Sequence, residues 1–372
     1  VGTISINGGN ITVVSYCDAV QAASDLTISN DAVINVTTTG VISSSTSGNG
    51  FGGWMNNQTA DISAKGIKSD ANISITGGNL TINSTDDSIH SNSCITLENT
   101  VITASTGDDG VHADDTLTIN DGCDLTVEKS YEGIEAEKIY VNGGTVHINA
   151  DDDSINGAGG NDSSSGGGFN STADGYIEIN GGYIYCQNTN DGDGIDSNGK
   201  IIMNGGTLIV NGPTSSDNGA IDYGDKSGDY MAYNGGTVIA VGSSQMAAYP
   251  SASYSSGNTV VYKSTSTGSN KGFGGWGGSW GGSSSSSSIA ANTLLTLADS
   301  NGNVVIAFTP TRTTQSVVFG SDNIVSGETY TLYKGGTYSG TLSSDGYAYG
   351  GTITGGEKLA TGTISSKLTT LS

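Results

Sequence analysis

Along most of the chain, apolar and polar residues alternate for about five positions, stop at a short Gly- or Asn-rich turn, and then alternate again. Period-two alternation marks strands, because successive side chains of a strand leave opposite faces. One unit, Ile/Leu-x-Ile-Asn-Gly-Gly-x-Leu/Val-x-Ile, recurs closely at residues 4–13, 73–82, 139–148, 177–186 and 201–210, and in degenerate form at 26–35, 95–104, 117–127 and 231–240. With Gly8, Asn30, Gly77, Asn99, Asp121 and Gly143 taken as equivalent, the steps are 22, 47, 22, 22 and 22 residues. The long step is one repeat carrying an insertion.

Strands this short cannot bury a face alone, but stacked copies give continuous ladders of Ile, Leu and Val. The expected fold is all-β: a right-handed parallel β-helix, a solenoid with coils of about 22 residues and Gly/Ser-rich loop insertions. Coils are expected over residues 1–241, with protruding loops at 40–60 and 157–172. A Gly/Ser/aromatic-rich insertion follows at 242–289, and residues 290–372 form final coils or a small β cap. Gly77, Gly143 and Gly205 suit turn positions that need positive φ or close backbone approach.

Composition sharpens this picture. There are 59 glycines and only three prolines, yet the regular aliphatic positions supply a thin continuous core and argue against disorder. Thirty-six acidic against twelve basic side chains give a formal net charge of −24, which excludes nucleic acid as a partner and disfavours an anionic membrane surface. No apolar run approaches the roughly 18 residues of a membrane span. Val1 begins without a charged, apolar leader, so a signal peptide is expected to have been removed, with an extracellular or cell-surface location. Cys17, Cys94, Cys123 and Cys186 form no C-x-x-C pair and read as packed thiols, although a Cys94–Cys123 bridge across about one coil stays open.

The charge is organised by a second motif, Asp-Gly/Ser-Ile/Val-x-Ser/Ala-Asp/Glu/Asn, about 12 residues after each Gly-Gly turn. It occurs at 87–92, 109–114, 132–137, 153–157 and 193–198, and more loosely at 66–70 and 219–222. Stacked coils would turn these acids into columns, in which neighbouring carboxylates repel unless a cation intervenes. The expected ligands are Asp86, Asp87, Asp108, Asp109, Asp114, Glu132, Glu135, Asp152, Asp153, Asp191, Asp193, Asp196 and Asp222. An all-oxygen set favours calcium over zinc or copper. The plainer reading is that the acids satisfy turn amides. His90 and His112 share a column that continues as Glu135, Asn156 and Asp196, so they read as hydrogen-bonding groups rather than transition-metal ligands.

Two insertions share Gly-Phe-Gly-Gly-Trp, at 50–54 and 272–276. Phe51, Trp54, Phe273, Trp276 and Trp280 would stack on sugar rings, mate with another subunit, or fold back over apolar surface.

The Asn-Gly-Gly repeats, the Asp-Asp-Ser-Ile turns at 86–89 and 152–155, the Asp-Asp-Gly-Val-His-Ala-Asp turn at 108–114, the Gly-rich aromatic insertions and Gly327-Glu-Thr-Tyr-Thr-Leu332 before Gly335-Gly336 together resemble a bacterial carbohydrate-binding β-helix family. That resemblance implies binding of cellulose and of acidic sugars such as polygalacturonate, calcium between coils, and a fold similar to family 9 polysaccharide lyases. The lyase calcium cluster is partly matched by Asp191, Asp193 and Asp196. Such lyases use a lysine base, and the nearby Lys200 and Lys226 sit in no motif that identifies one. Both lie among acids, which disfavour the neutral amine a base needs. The expected function is therefore calcium-dependent polysaccharide binding without cleavage. The alternatives are a subunit of an extracellular filament self-assembled by head-to-tail stacking, and a calcium-dependent pectate lyase.

Overall fold

The computed structural model describes residues 2–40, 62–158, 174–214, 218–264 and 288–372. Regular structure there is all β, and no helix is long and apolar enough to cross a membrane among the described residues. Each repeat contributes a strand to a first sheet, which runs through Ile4–Ile6, Leu26–Ile28, Ile73–Ile75, Cys94–Leu97, Val111–Ile119, Ile134–Val141, Tyr176–Ile179, Lys200–Met203 and Tyr230–Tyr233. A second sheet takes the strand after each turn, from Asn10–Ser15 and Val33–Thr38 to Thr207–Asn211 and Thr237–Gly242. All these pairings are parallel, and Ile4 faces Leu26, Leu26 faces Ile73, and Ile95 faces Leu117. The expected register therefore holds, including direct pairing across the 47-residue step.

The acidic motif forms a third line of short strands: Val20–Ala22, Ile67–Ser69, Ile89–Ser91, the beginnings of Val111–Ile119 and Ile134–Val141, then Ile155–Gly157 and Ile195–Ser197. Because those two long strands carry both lines, the lines merge into one 14-stranded sheet among the described residues. Alternation explains the core: Leu26, Ile73, Ile95, Leu117, Ile139, Ile177 and Ile201 are buried in one ladder, each worth about 1.5–3 kcal/mol of transfer free energy.

Turns are held by an asparagine ladder. The amides of Asn142, Asn180, Asn204 and Asn234 each donate to the side-chain oxygen of the asparagine one repeat earlier, beginning at Asn120, over 2.8–3.0 Å. From the second such turn onward the glycine roles divide: positive φ belongs to the second glycine, as at Gly144 (80°), whereas the first is fixed by space, as at Gly77, where a Cβ would stand 2.6 Å from the backbone N and O of Asn30. Asn142→Ala breaks both ladder bonds at one rung and is expected to cost about 1–2 kcal/mol in urea unfolding.

After residue 241 the pattern changes. Thr259–Lys263, inside the segment expected to be an insertion at 242–289, is a strand of the second sheet. Its Thr-Val-Val-Tyr-Lys sequence has the apolar content to be covered on both faces. Ser316–Ser321 inserts antiparallel between it and Thr237–Gly242, and Leu368–Thr370 pairs parallel on the far side of Thr259–Lys263 as the last strand of the sheet. The remaining tail forms a 5-stranded antiparallel sheet that packs on the outside of the second sheet, burying Ile209, Ile239, Phe308, Phe319 and Leu332 together. This is why Thr207–Asn211 and Thr237–Gly242 are continuously apolar, while Asn79–Asn83 alternates. Arg312 fastens the tail by donating to the carbonyls of Asn188 and Asn190 at 2.7 and 2.8 Å. All four cysteines are free thiols, with Cys123 and Cys186 buried, Cys94 half-buried and Cys17 exposed.

Candidate functional site

The third line of strands places its central Ile or Val inward and the following residue outward. Register stacks Lys68, His90, His112, Glu135, Asn156 and Asp196 in one outward column, and Asp196 interacts with Asp222 beyond it. Two residues before each central Ile or Val stand Asp18, Lys65, Asp87, Asp109, Glu132, Asp153 and Asp193. Simple parity would send these inward, but the turn breaks the alternation. Asp87 Oδ2 therefore lies 2.8 Å from His90 Nδ1, and Asp109 Oδ2 lies 2.9 Å from His112 Nδ1. Two charged columns thus run side by side.

The turn-amide reading accounts for one oxygen of several acids. Asp87 Oδ1 accepts from the amide of Asp109, Asp153 Oδ1 from that of Asp193, and Asp193 Oδ1 from that of Gly219, so each carboxylate caps the next repeat. The second oxygen is left for the neighbouring column.

The two halves of the site differ in how charge is balanced. In the early half, buried Lys65 places Nζ 2.9 Å from Asp86 Oδ1 and 2.5 Å from Asp87 Oδ2. Burial pushes the Asp87 carboxyl upward, but the His90 hydrogen bond and the charges of Lys65 and His112 outweigh it and hold the group well below the usual range. His112 stacks on His90 at 4.8 Å and reaches Asp109, Glu135 and Asp114 at 2.9, 3.0 and 3.3 Å. Burial opposes charge on His112, yet these carboxylates drive its affinity for a proton far above normal, so it stands as an imidazolium. The histidines bond to acids, as their column context implied.

Ligand atoms lie within 4.8 Å of one another in three trios: Asp86–Asp87–Asp108, Asp87–His90–His112 and Asp109–His112–Glu135. Two of the three include a His112 that carries a proton, and the other adjoins the Lys65 ammonium. Lys65 and His112 stand inside these trios as basic side chains paired with the acids, an arrangement the sequence reading missed. Lys65 stands at the same offset from Ile67 as Asp87 does from Ile89, which is the signal that would have found it.

The later half has acids and amides in these columns and no basic residue. Burial, followed by mutual repulsion with Asp196 and Asp193, pushes Asp153 up to about 9. Burial likewise raises Asp193 to about 8 and Asp196 to about 6, and raises Asp222. Burial and the Glu135 charge hold Glu132 well above its ordinary value. Among them Asn156, only 7% exposed, donates through Nδ2 to Glu132 Oε2 at 2.8 Å and leaves Oδ1 buried with no hydrogen-bond partner. An orphaned carbonyl oxygen beside buried carboxylates fits a hard divalent cation, for which Asn156 with Glu132 or Asp153, and further along Asp193 with Asp196, would be oxygen donors from neighbouring repeats; among the described residues no three carboxylate, His or Cys ligand atoms of this half lie within 4.8 Å of one another.

The other expected ligands fall elsewhere. Asp152 bonds to the Tyr131 hydroxyl, Asp114 sits at the far nitrogen of His112, and Asp191 is exposed beside Arg312. Phe51, Trp54, Phe273, Trp276 and Trp280 lie outside the described residues.

These features define an all-β repeat protein with large parallel sheets and an outward ladder of ionisable groups. The chain belongs to the family of carbohydrate-binding domain-containing proteins, whose family model matches residues 1–110 and 108–268. Membership supports a polysaccharide-binding protein. Nothing among curated proteins or solved structures matches the chain.

Proposed function

We propose that this chain is a secreted or cell-surface right-handed parallel β-helix that holds calcium in the later half of its acidic columns and binds polysaccharide without cleaving it. The family match supports the sugar, and the in-register parallel repeats support the solenoid. The observation that carries the metal is the buried, unpartnered Asn156 Oδ1 beside carboxylates that burial and mutual repulsion hold above their ordinary range. Calcium bound there serves the fold by neutralising the columns, and wherever it keeps open positions it can bridge to a uronate carboxylate.

Binding without cleavage is favoured because both candidate bases are engaged: Lys226 Nζ lies 3.1 Å from Asp174 Oδ1, and Lys200 Nζ sits 5.5 Å from the centre of the Tyr230 ring. Head-to-tail filament assembly is the weaker reading, since the second sheet continues past its last parallel repeat strand through Ser316–Ser321, Thr259–Lys263 and Leu368–Thr370, so that end does not present the edge of a repeat. Isothermal titration with polygalacturonate should give binding with calcium that disappears on chelation. Failure to take up calcium in equilibrium dialysis would sink the metal reading, and an unsaturated product from polygalacturonate would sink the non-catalytic one.

A further inference from the structure

Arg312 is the chain's single arginine, and it belongs to the tail rather than to the repeats. It lies on the connection from Val304–Phe308 to Ser316–Ser321. Its guanidinium reaches the turn that joins Tyr183–Asn188 of the second sheet to the short strand Ile195–Ser197, where one nitrogen, Nη1, donates to the carbonyls of Asn188 and Asn190 at 2.7 and 2.8 Å. This same turn delivers Asp193 to the acidic columns. From its inner side Asn188, fully buried, donates through Nδ2 to the carbonyls of Asp152 and Asp193 at 2.7 and 2.8 Å. The Asp193 amide donates to Asp153 Oδ1 at 2.6 Å, and Asp193 Oδ1 accepts from the Gly219 amide at 2.5 Å. The turn is thus tied to the repeat before it, to the repeat after it and, through Arg312, to the tail.

We infer that Arg312 is a positioning residue for the later half of the acidic columns: through this side chain the tail sets where Asp193 stands, so tail docking and divalent-cation binding favour each other. The inference rests on the metal reading proposed above and adds the tail as a working part of that site. A guanidinium is planar and presents its N–H groups in fixed directions, so two carbonyls held by one nitrogen fix the path of the chain between them. Asp193 follows three residues after Asn190, and its own carbonyl hangs on the Asn188 amide, so a displaced turn displaces its carboxylate relative to Asp153 and Asp196. Groups that orient a ligand without touching the metal commonly change affinity by about ten- to a hundredfold when removed. Charge acts in the opposite sense, because a guanidinium near the columns opposes a second cation, and Asp191 beside it offsets that. By linkage, a bound cation strengthens the tail's hold by the factor by which the docked tail strengthens cation binding.

Equilibrium dialysis with calcium alone, at neutral pH, compares the parent chain with Arg312→Gln and Arg312→Lys. The parent binds, Arg312→Gln binds about tenfold more weakly, and Arg312→Lys, which keeps the charge but not the planar fork, falls between them. Hydrogen exchange of the tail strands Leu295–Asp299 and Thr329–Lys334 gives the reciprocal readout: calcium slows it in the parent and has little effect in Arg312→Gln. An arginine with a merely structural role would speed that exchange equally in calcium and in chelator and leave the calcium affinity unchanged, and this result overturns the inference. Tighter binding by Arg312→Gln also overturns it, since charge rather than position would then govern the site. Should Arg312→Gln not fold, Arg312→Lys decides by the same two measurements. A parent chain that takes up no calcium overturns the metal reading and the inference with it, whereas a binding parent beside an unaffected variant overturns the inference alone.

Discussion

Lys65→Met is expected to destabilise the protein by about 3–5 kcal/mol, the usual cost of removing one partner from a buried ion pair. The ammonium lies against Asp86 and Asp87, all three side chains are at most 9% exposed, and methionine fills similar volume without charge. The penalty should appear in urea unfolding at neutral pH. Linkage fixes its pH dependence: the folded-state Asp87 carboxyl lies below its unfolded value, so its contribution is present above the ordinary carboxylate range and is lost as pH falls through the folded value. The cost of Lys65→Met should therefore shrink in acid. Adding Asp87→Asn to Lys65→Met should restore part of the loss and keeps the test readable if the single variant does not accumulate. An additive double variant would mean that the ion pair does not carry the effect.

The later half of the columns should behave in the opposite sense. Asp153, Asp193 and Asp196 have folded-state values raised to about 9, 8 and 6, so between the ordinary carboxylate range and those values the folded chain binds more protons than the unfolded one. Stability of the metal-free protein therefore falls as pH rises from about 5 to 9. Calcium reverses this by replacing protons: at a concentration one hundred times its dissociation constant it adds about 2.7 kcal/mol. The gain should be largest near pH 8 and small near pH 5, where protons compete. Asn156→Ala should reduce it by removing the orphan oxygen. Melting curves with calcium and with chelator at the two pH values decide the matter, and an equal calcium effect at both would count against carboxylate ligation.

Much of the fold was legible because the physics of a strand repeats every two residues and that of the stack every 22. The pairing of Ile4 with Leu26 and of Leu26 with Ile73 follows from spacing alone. The acidic columns were legible for the same reason, since a residue recurring at one offset must stack on itself. The tail was not. Its strands lack the repeat, and Ser316–Ser321 joins the second sheet antiparallel through contacts that no local pattern encodes.

By itself the sequence determined the repeat, its register, the inward ladder of Ile, Leu and Val, and the alignment of Asp87, Asp109, Glu132, Asp153 and Asp193. The tertiary structure decided what those acids face. The turn before each short strand swings the first column beside the second, so Asp87 meets His90 and Lys65, while Asn156 is left with a buried oxygen and no donor. Charge balance depends on which side chains from neighbouring repeats share a space a few ångströms across. Only the folded chain sets those distances, so one acidic motif yields an ion-paired half and a half of buried, mutually repelling carboxylates.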